Sequence, residues 1–162
     1  MKKTLTLIIC ISISIFSYSQ KEVTLEEIWQ NYKFYPSGVP GFKSMNDGEN
    51  YTTIEKNDDG IKIHKHSFES GEVIATILSS DDERLSRMGS YQFNLSEDKI
   101  LISTNTESIY RHSSKSVYYI YNTKTQSIKN LTDKQVMYAT FSPDGNYIAY
   151  VFENNLYVYN IN

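Results

Sequence analysis

Two histidines spaced two residues apart, His64 and His66, could support metal chemistry. Side chains alternate between the two faces of a β-strand, so both imidazoles would lie on one face and could share an ion. A zinc site draws on at least three protein ligands, and no third candidate stands near this pair in the sequence. The spacing is more typical of a polar outer strand face, and we therefore predict no metal site.

Arg111 and His112 form a second pair with chemical potential. The arginine guanidinium is permanently charged and presents a fork of donors, so it can hold a carbonyl oxygen without changing its protonation state. His112 could serve as a general base only beside a nucleophile. Because most surface arginines belong to no site, the residues alone favour an exposed arginine in a loop between strands. A binding role for Arg111 needs a further argument.

A nucleophile for peptide hydrolysis is missing from the sequence. In many hydrolases the nucleophilic serine stands at a sharp turn with the pattern Gly-x-Ser-x-Gly, and none of the seven glycines belongs to such a pattern. The single cysteine, Cys10, falls within an apolar N-terminal run that we expect to be removed. We therefore predict that the chain has no catalytic residue, no metal and no cofactor, and that it is inactive alone.

The N-terminus has the pattern of a secretory signal peptide. Lys2 and Lys3 precede an apolar run from Leu5 to Phe16, and small residues then lead to a predicted cleavage after Ser19. The run is too short to cross a bilayer, and no second long apolar stretch follows. We predict that residues 1–19 are a signal peptide, that no membrane span remains after cleavage, and that the protein is exported to the periplasm or the extracellular space.

The amino-acid composition indicates the fold class and argues against one class of partner, nucleic acids. Sixteen Lys and Arg stand against nineteen Asp and Glu, for a net charge of −3, which leaves no basic excess to bind nucleic acid. Fourteen Tyr and seven Phe against seven Gly and three Pro favour β-strands, since aromatic side chains suit a half-buried pleated surface. The composition predicts an all-β protein with no nucleic-acid partner.

One helix is predicted, from Thr24 to Tyr32, because apolar residues recur there with helical spacing. Thr24 and Glu27 have the spacing of a capping box, which fixes the start of the helix. Prolines and glycines break regular structure after it, at Pro36, Gly38, Pro40 and Gly41. We interpret residues 20–41 as an N-terminal helix and linker.

The rest of the chain, residues 42–162, repeats a pattern of paired strands. Turn aspartates at Asp47, Asp98 and Asp144 recur about every 45 to 50 residues, and each precedes an apolar strand. Two hairpins per period correspond to one four-stranded blade of a β-propeller. The repeat predicts about two and a half blades of an incomplete propeller, preceded by one short helix, since propellers close with four to eight blades. We expect the chain to be the first part of a longer protein.

Several segments of the repeat resemble the N-terminal propeller of the dipeptidyl peptidase IV family. The similar segments are Ile109–Tyr121, Tyr138–Gly145, Ile148–Val151 and Asn155–Val158, and the openings Thr24–Trp29 and Gly38–Phe42 resemble bacterial members. The resemblance implies a secreted serine exopeptidase of the prolyl oligopeptidase clan, in which a propeller covers an α/β-hydrolase domain. Such enzymes remove dipeptides from peptide N-termini when the second residue is Pro or Ala.

The resemblance also implies a role for Arg111. It falls at the family's propeller arginine, which points into the active-site cavity and binds a backbone carbonyl of the substrate. The paired glutamates that hold the substrate's amino terminus lie in a later blade of the family, which this chain does not reach. The implied function is substrate gating and recognition. The implied partners are peptide substrates of the full-length enzyme, together with its α/β-hydrolase domain and remaining blades.

A second hypothesis gives the same repeat a different use. The chain could belong to a periplasmic propeller that scaffolds or binds other proteins and has no hydrolase domain. The two hypotheses differ in whether a nucleophile pattern occurs in the same protein.

Overall fold

The computed structural model describes residues 23–36 and 38–161, so the predicted signal peptide lies outside the described residues. The chain divides into two compact units, Met1–Gly38 and Val39–Asn162, each of which we describe by itself. Within the part of the chain that is described, no helix has both the length and the apolar character needed to span a membrane.

The first unit contains a short π-helix, Glu26–Gln30, where the sequence predicts an α-helix from Thr24 to Tyr32. The predicted cap contact is present, since the Thr24 hydroxyl accepts a hydrogen bond from the Glu27 amide at 3.2 Å. The amide of Asn31 bonds to the carbonyl of Glu26, five residues back, which widens the turn. The helix ends early because Tyr32 adopts a left-handed backbone conformation, with φ of 47°.

The described part of the second unit forms three antiparallel sheets of four, four and three strands, each strand pairing with its neighbours in sequence. The first sheet contains β1 (Lys43–Ser44), β2 (Asn50–Asn57), β3 (Gly60–Ser67) and β4 (Val73–Ser80). The second contains β5 (Met88–Phe93), β6 (Lys99–Tyr110), β7 (Ser113–Asn122) and β8 (Ile128–Asn130). The third contains β9 (Met137–Phe141), β10 (Tyr147–Phe152) and β11 (Asn155–Asn160). The prediction of an all-β, incomplete propeller is confirmed.

The repeat aspartates hold the turn between the first two strands of each sheet. Each carboxylate accepts hydrogen bonds from the turn that follows or surrounds it, so the chain reverses without leaving its polar groups unpaired. The donors are the amides of Glu49 and Asn50 for Asp47, the side chains of Asn94 and Ser96 for Asp98, and the Ser142 hydroxyl and Asn146 amide for Asp144. Local turn chemistry therefore explains the repeat.

The middle sheet is buried on both faces. Ile100 and Ile102 on β6 pack with Ile63 of the first sheet in one core cluster. Leu101, between them, points to the opposite face and packs with Ile148 of the third sheet in a second cluster. This alternation follows from the two-residue period of a strand. Strand β6 therefore contributes side chains to both core clusters.

Candidate functional site

The hairpin formed by β6 and β7 extends beyond the sheets. These strands have 12 and 10 residues, whereas β2 and β3 have 8 each and β10 and β11 have 6 each. The inner half of β6 is buried as far as Thr104, and every residue from Asn105 to His112 is exposed. The two-residue turn at the tip consists of Arg111 and His112, because Tyr110 pairs with Ser113.

Arg111 is free at this tip. Its side chain makes no hydrogen bond or ion pair with any residue in the ranges 23–36 and 38–161. The neighbouring Tyr110 is 80% exposed, so the tip is surrounded by solvent on the strand side as well. A guanidinium in this position has its full set of donors available to a ligand.

A bulge separates the buried half of the hairpin from the exposed half. The register shifts between Thr104 and Glu107, where Thr104 pairs with Val117 and Glu107 pairs with Lys115. Asn105 lies in this interruption with φ of 49°, a left-handed conformation that asparagine adopts more easily than most residues. Bulges bend a strand and increase its local twist, so this one determines the direction in which the tip points.

Both backbone polar groups of Asn105 are bonded outside the hairpin. Its amide donates to the carbonyl of Arg87 at 3.3 Å, and its carbonyl accepts from the side-chain amide of Gln135 at 3.2 Å. The same Gln135 nitrogen donates to Glu107 at 2.9 Å. We call Gln135, with its contacts to Asn105 and Glu107, the Gln135 clamp.

The carboxylate of Glu107 has a second partner on the facing strand, Lys115, at 3.0 Å. The hydrogen bond from Gln135 and then the contacts with Lys115 lower the pKa of Glu107 below its ordinary value. The carboxylate is therefore ionised at neutral pH and acts as an acceptor for both partners.

An open cleft of about 570 Å³ lies at the base of the hairpin and is lined in part by Arg87, Asn105, Glu107 and Gln135. Its walls combine polar groups with apolar ones such as Val117, and the negative charge of Glu107 is balanced by Lys115. The cleft thus borders the bulge and the Gln135 clamp.

His64 and His66 face the same side of β3, as the sequence predicts, but both rings are occupied by protein partners. His64 bonds to Glu55 at 2.9 Å and to Thr76 at 3.1 Å. His66 bonds to Thr53 at 2.9 Å and to a carbonyl in the β3–β4 turn at 3.2 Å. Among the described residues no group of three or more potential ligands is placed to hold a metal ion. The histidines instead connect β3 to the strands on either side.

Comparison with known proteins places this geometry in a family context. Residues 94–162, which contain β6, β7 and Arg111, match the family model for the dipeptidyl peptidase IV (DPP IV) N-terminal region. The chain contains a dipeptidyl peptidase IV-like N-terminal region. The chain is 37% identical over 83 residues to dipeptidyl aminopeptidase A of Saccharomyces cerevisiae. The matched stretch covers 44% of this chain and 9% of that protein.

The similarity to dipeptidyl peptidases also covers the first sheet. A probable dipeptidyl-aminopeptidase B of Emericella nidulans is 28% identical over 159 residues, covering 91% of this chain and 17% of that protein. The crystal structure of Porphyromonas gingivalis dipeptidyl peptidase 4 superposes with a TM-score of 0.71 and 32% identity, covering 88% of this chain and 21% of that one. The chain therefore spans about a tenth to a fifth of the length of these relatives.

Sequence reasoning identified Arg111 but not the features that place it. The extension from residue 105 to 116 is rich in Ser, Thr and charged residues, so it lacks the alternating apolar pattern that predicts a strand. Gln135 gave no signal, because a single glutamine before a strand is common and its partners lie 28 and 30 residues earlier.

Proposed function

We propose that this chain provides the substrate-recognition part of an exported dipeptidyl peptidase IV-like serine exopeptidase, and that Arg111 binds a backbone carbonyl oxygen of the peptide. The substrates are peptides with Pro or Ala as the second residue. The observation that supports the proposal best is the exposed, unpaired guanidinium of Arg111 at the tip of the long β6–β7 hairpin, inside the segment that matches the family model.

The chemistry of arginine suits this role. A peptide carbonyl is a neutral acceptor, and a charged donor strengthens a hydrogen bond to it. The guanidinium stays charged at any physiological pH, so binding does not depend on a proton transfer. A lysine could supply the charge but not the planar fork of donors that fixes the orientation of the acceptor.

The hairpin also suits substrate gating. Its exposed half projects past the ends of the neighbouring strands, so that in an enzyme with further blades and an α/β-hydrolase domain it would border the passage to the catalytic centre. Export through the signal peptide of residues 1–19 would deliver the enzyme to the compartment in which it meets peptides. The nucleophile, its base and the groups that bind the substrate's amino terminus would come from outside this chain.

The test uses the enzyme expressed from the complete gene. Arg111→Ala removes one charge-assisted hydrogen bond, worth about 1.5 to 3 kcal/mol, and we expect kcat/KM for a chromogenic Gly-Pro substrate to fall roughly 10- to 150-fold. Arg111→Lys should recover only part of this loss. Lys124→Ala removes a cation that is largely exposed at the other end of β7 and serves as the matched control.

Two results would count against the proposal. An unchanged kcat/KM in Arg111→Ala would mean that Arg111 is a surface residue that does not bind the substrate. Absence of dipeptidyl peptidase activity in the wild-type product of the complete gene would favour the non-catalytic propeller instead.

A further inference from the structure

The bulge at Asn105 is the point at which the β6–β7 hairpin can change direction. Regular ladder pairing is interrupted between Thr104 and Glu107, so the strands themselves do not fix the angle of the exposed half there. A displacement at the bulge would move the tip, since Arg111 lies six residues further along β6 and its turn.

The segment that precedes β9 is firmly attached to β7. Ser116 and Val136 exchange two backbone hydrogen bonds, each of 2.9 Å. Val136 is 1% exposed and belongs to the core between the second and third sheets. The backbone of the preceding residue, Gln135, is therefore held in place by the bonded and buried Val136.

From this fixed point the side chain of Gln135 crosses β7 and contacts β6. Its amide nitrogen donates to the carbonyl of Asn105 at 3.2 Å and to the carboxylate of Glu107 at 2.9 Å, one residue on each side of Thr106. Thr106 itself is bonded to Ser116 through the two hydroxyl groups at 2.9 Å. The bulge is thus held on three consecutive residues by groups outside β6.

We propose that Gln135 is a positioning residue: the Gln135 clamp fixes the angle at which the β6–β7 hairpin leaves the sheet and so places Arg111 for its ligand. The proposal rests on the proposed function of Arg111. It adds a residue that touches no substrate and acts only through the hairpin.

The substitution Gln135→Glu tests the clamp with almost no change in side-chain shape. A carboxylate has no hydrogen to donate to the Asn105 carbonyl, and it stands beside the ionised Glu107, so the clamp opens by repulsion. The exchange of both residues, Glu107→Gln with Gln135→Glu, restores the contact between positions 107 and 135 with donor and acceptor reversed, while the bond to the Asn105 carbonyl stays lost. Gln92→Ala is the matched control, because Gln92 bridges to Thr140 at 3.5 Å away from the hairpin.

Two measurements on the enzyme from the complete gene separate positioning from general stability. Hydrogen exchange of the peptide covering residues 105–116 should speed up in Gln135→Glu, should be slowed again in part in the exchanged pair, and should not change in Gln92→Ala. In parallel, kcat/KM should fall about 2- to 10-fold in Gln135→Glu, as expected when a displaced Arg111 loses part of its hydrogen bond to the substrate, and recover in part in the exchanged pair.

The decisive comparison is made in the Arg111→Ala background. If Gln135 acts through Arg111, adding Gln135→Glu there should change kcat/KM by less than about 1.5-fold, because the positioned group is already gone. An equal loss in both backgrounds, or unchanged exchange of residues 105–116 in Gln135→Glu, would overturn the proposal. Failure of the proposed function looks different: Arg111→Ala alone would then leave kcat/KM unchanged, whatever the exchange rates of the hairpin.

Discussion

The hydroxyl of Tyr91 donates a hydrogen bond of 2.6 Å to the carbonyl oxygen of Gly41, 50 residues earlier in the chain. The hydroxyl of Thr52 lies 2.6 Å from the same tyrosine oxygen, and since the tyrosine proton is directed to Gly41, Thr52 is the donor in that contact. Tyr91 is 2% exposed and Thr52 is fully buried. This short polar chain joins the first and second sheets, as do the contacts of Lys56 with the Met88 carbonyl and of Tyr121 with the Ile77 carbonyl.

Tyr91→Phe should destabilise the protein while keeping its packing. The substitution removes the partner of the buried Thr52 hydroxyl and of the partly buried Gly41 carbonyl, and we expect the free energy of unfolding to fall by about 1 to 3 kcal/mol. Thr52 keeps only a longer contact, 3.4 Å, with the carbonyl of Lys43. Equilibrium urea unfolding measures the effect, with Tyr110→Phe as the control, because that tyrosine is 80% exposed. Equal stability of the two variants would contradict the assignment.

Gly41→Ala should also be destabilising, for two separate reasons. Gly41 has φ of 66°, which strains any residue with a Cβ, and the added carbon would overlap the side chain of Ile54. Gly48→Ala isolates the first reason, since Gly48 has φ of 70° but no atom within 4 Å of the added carbon. We expect a loss of about 1 kcal/mol in Gly48→Ala and a clearly larger loss in Gly41→Ala, measured by thermal or urea unfolding. A loss in Gly41→Ala no larger than that in Gly48→Ala would show that Ile54 moves aside.

The turn aspartates predict a loss of stability in acid. Hydrogen bonds from the side chain of Asn50 to Asp47, and from that of Asn94 to Asp98, lower the pKa of each carboxyl group to about 2 from an ordinary 3.8. The unfolded chain therefore binds more protons than the folded one in this range, so the stabilisation from these carboxylates is complete above about pH 5 and is lost as the pH drops toward 2. Asp98→Asn should lower the free energy of unfolding at pH 6 and have little effect near pH 2.

The pH dependence of unfolding in Asp98→Asn checks this expectation directly. Wild type and variant should converge as the pH falls, because protonated Asp98 and asparagine are both uncharged. Parallel curves from pH 6 to pH 2 would mean that the carboxylate is not stabilised by the fold. The carbon-13 shift of the Asp98 carboxyl group gives the pKa itself.

The parts of the fold that depend on local turn chemistry were predictable from the sequence. Asp47, Asp98 and Asp144 marked the three sheets because each carboxylate bonds to residues within a few positions of itself. The position of the initial helix was predicted correctly, but an α-helix was expected and the structure has a π-helix. The apolar spacing is compatible with either helix type, and the left-handed Tyr32 that ends the turn early has no sequence signature.

The candidate site was less accessible to sequence reasoning. Arg111 could be selected only through a family resemblance, and its role in binding substrate stays a prediction. The bulge at Asn105 and the contact with Gln135 depend on the packing of the segment before β9 against β7, which is a tertiary feature. Polar residues in such a contact look the same in sequence as solvated surface residues.

Within each described sheet, strands pair only with the strands next to them in sequence, and this has a consequence for how the chain acquires its fold. Nearly all contacts within a sheet close short loops, so the entropic barrier to forming each sheet is low and the order of formation can follow the chain. All the pairing partners of the first sheet lie before residue 81, so this sheet needs no later residue to complete its strand pairing. The link from Tyr91 to Gly41 then adds a second event, because the first sheet gains its polar anchor only when β5 arrives. The connectivity therefore allows the three sheets to form in chain order, each packing on the one before it.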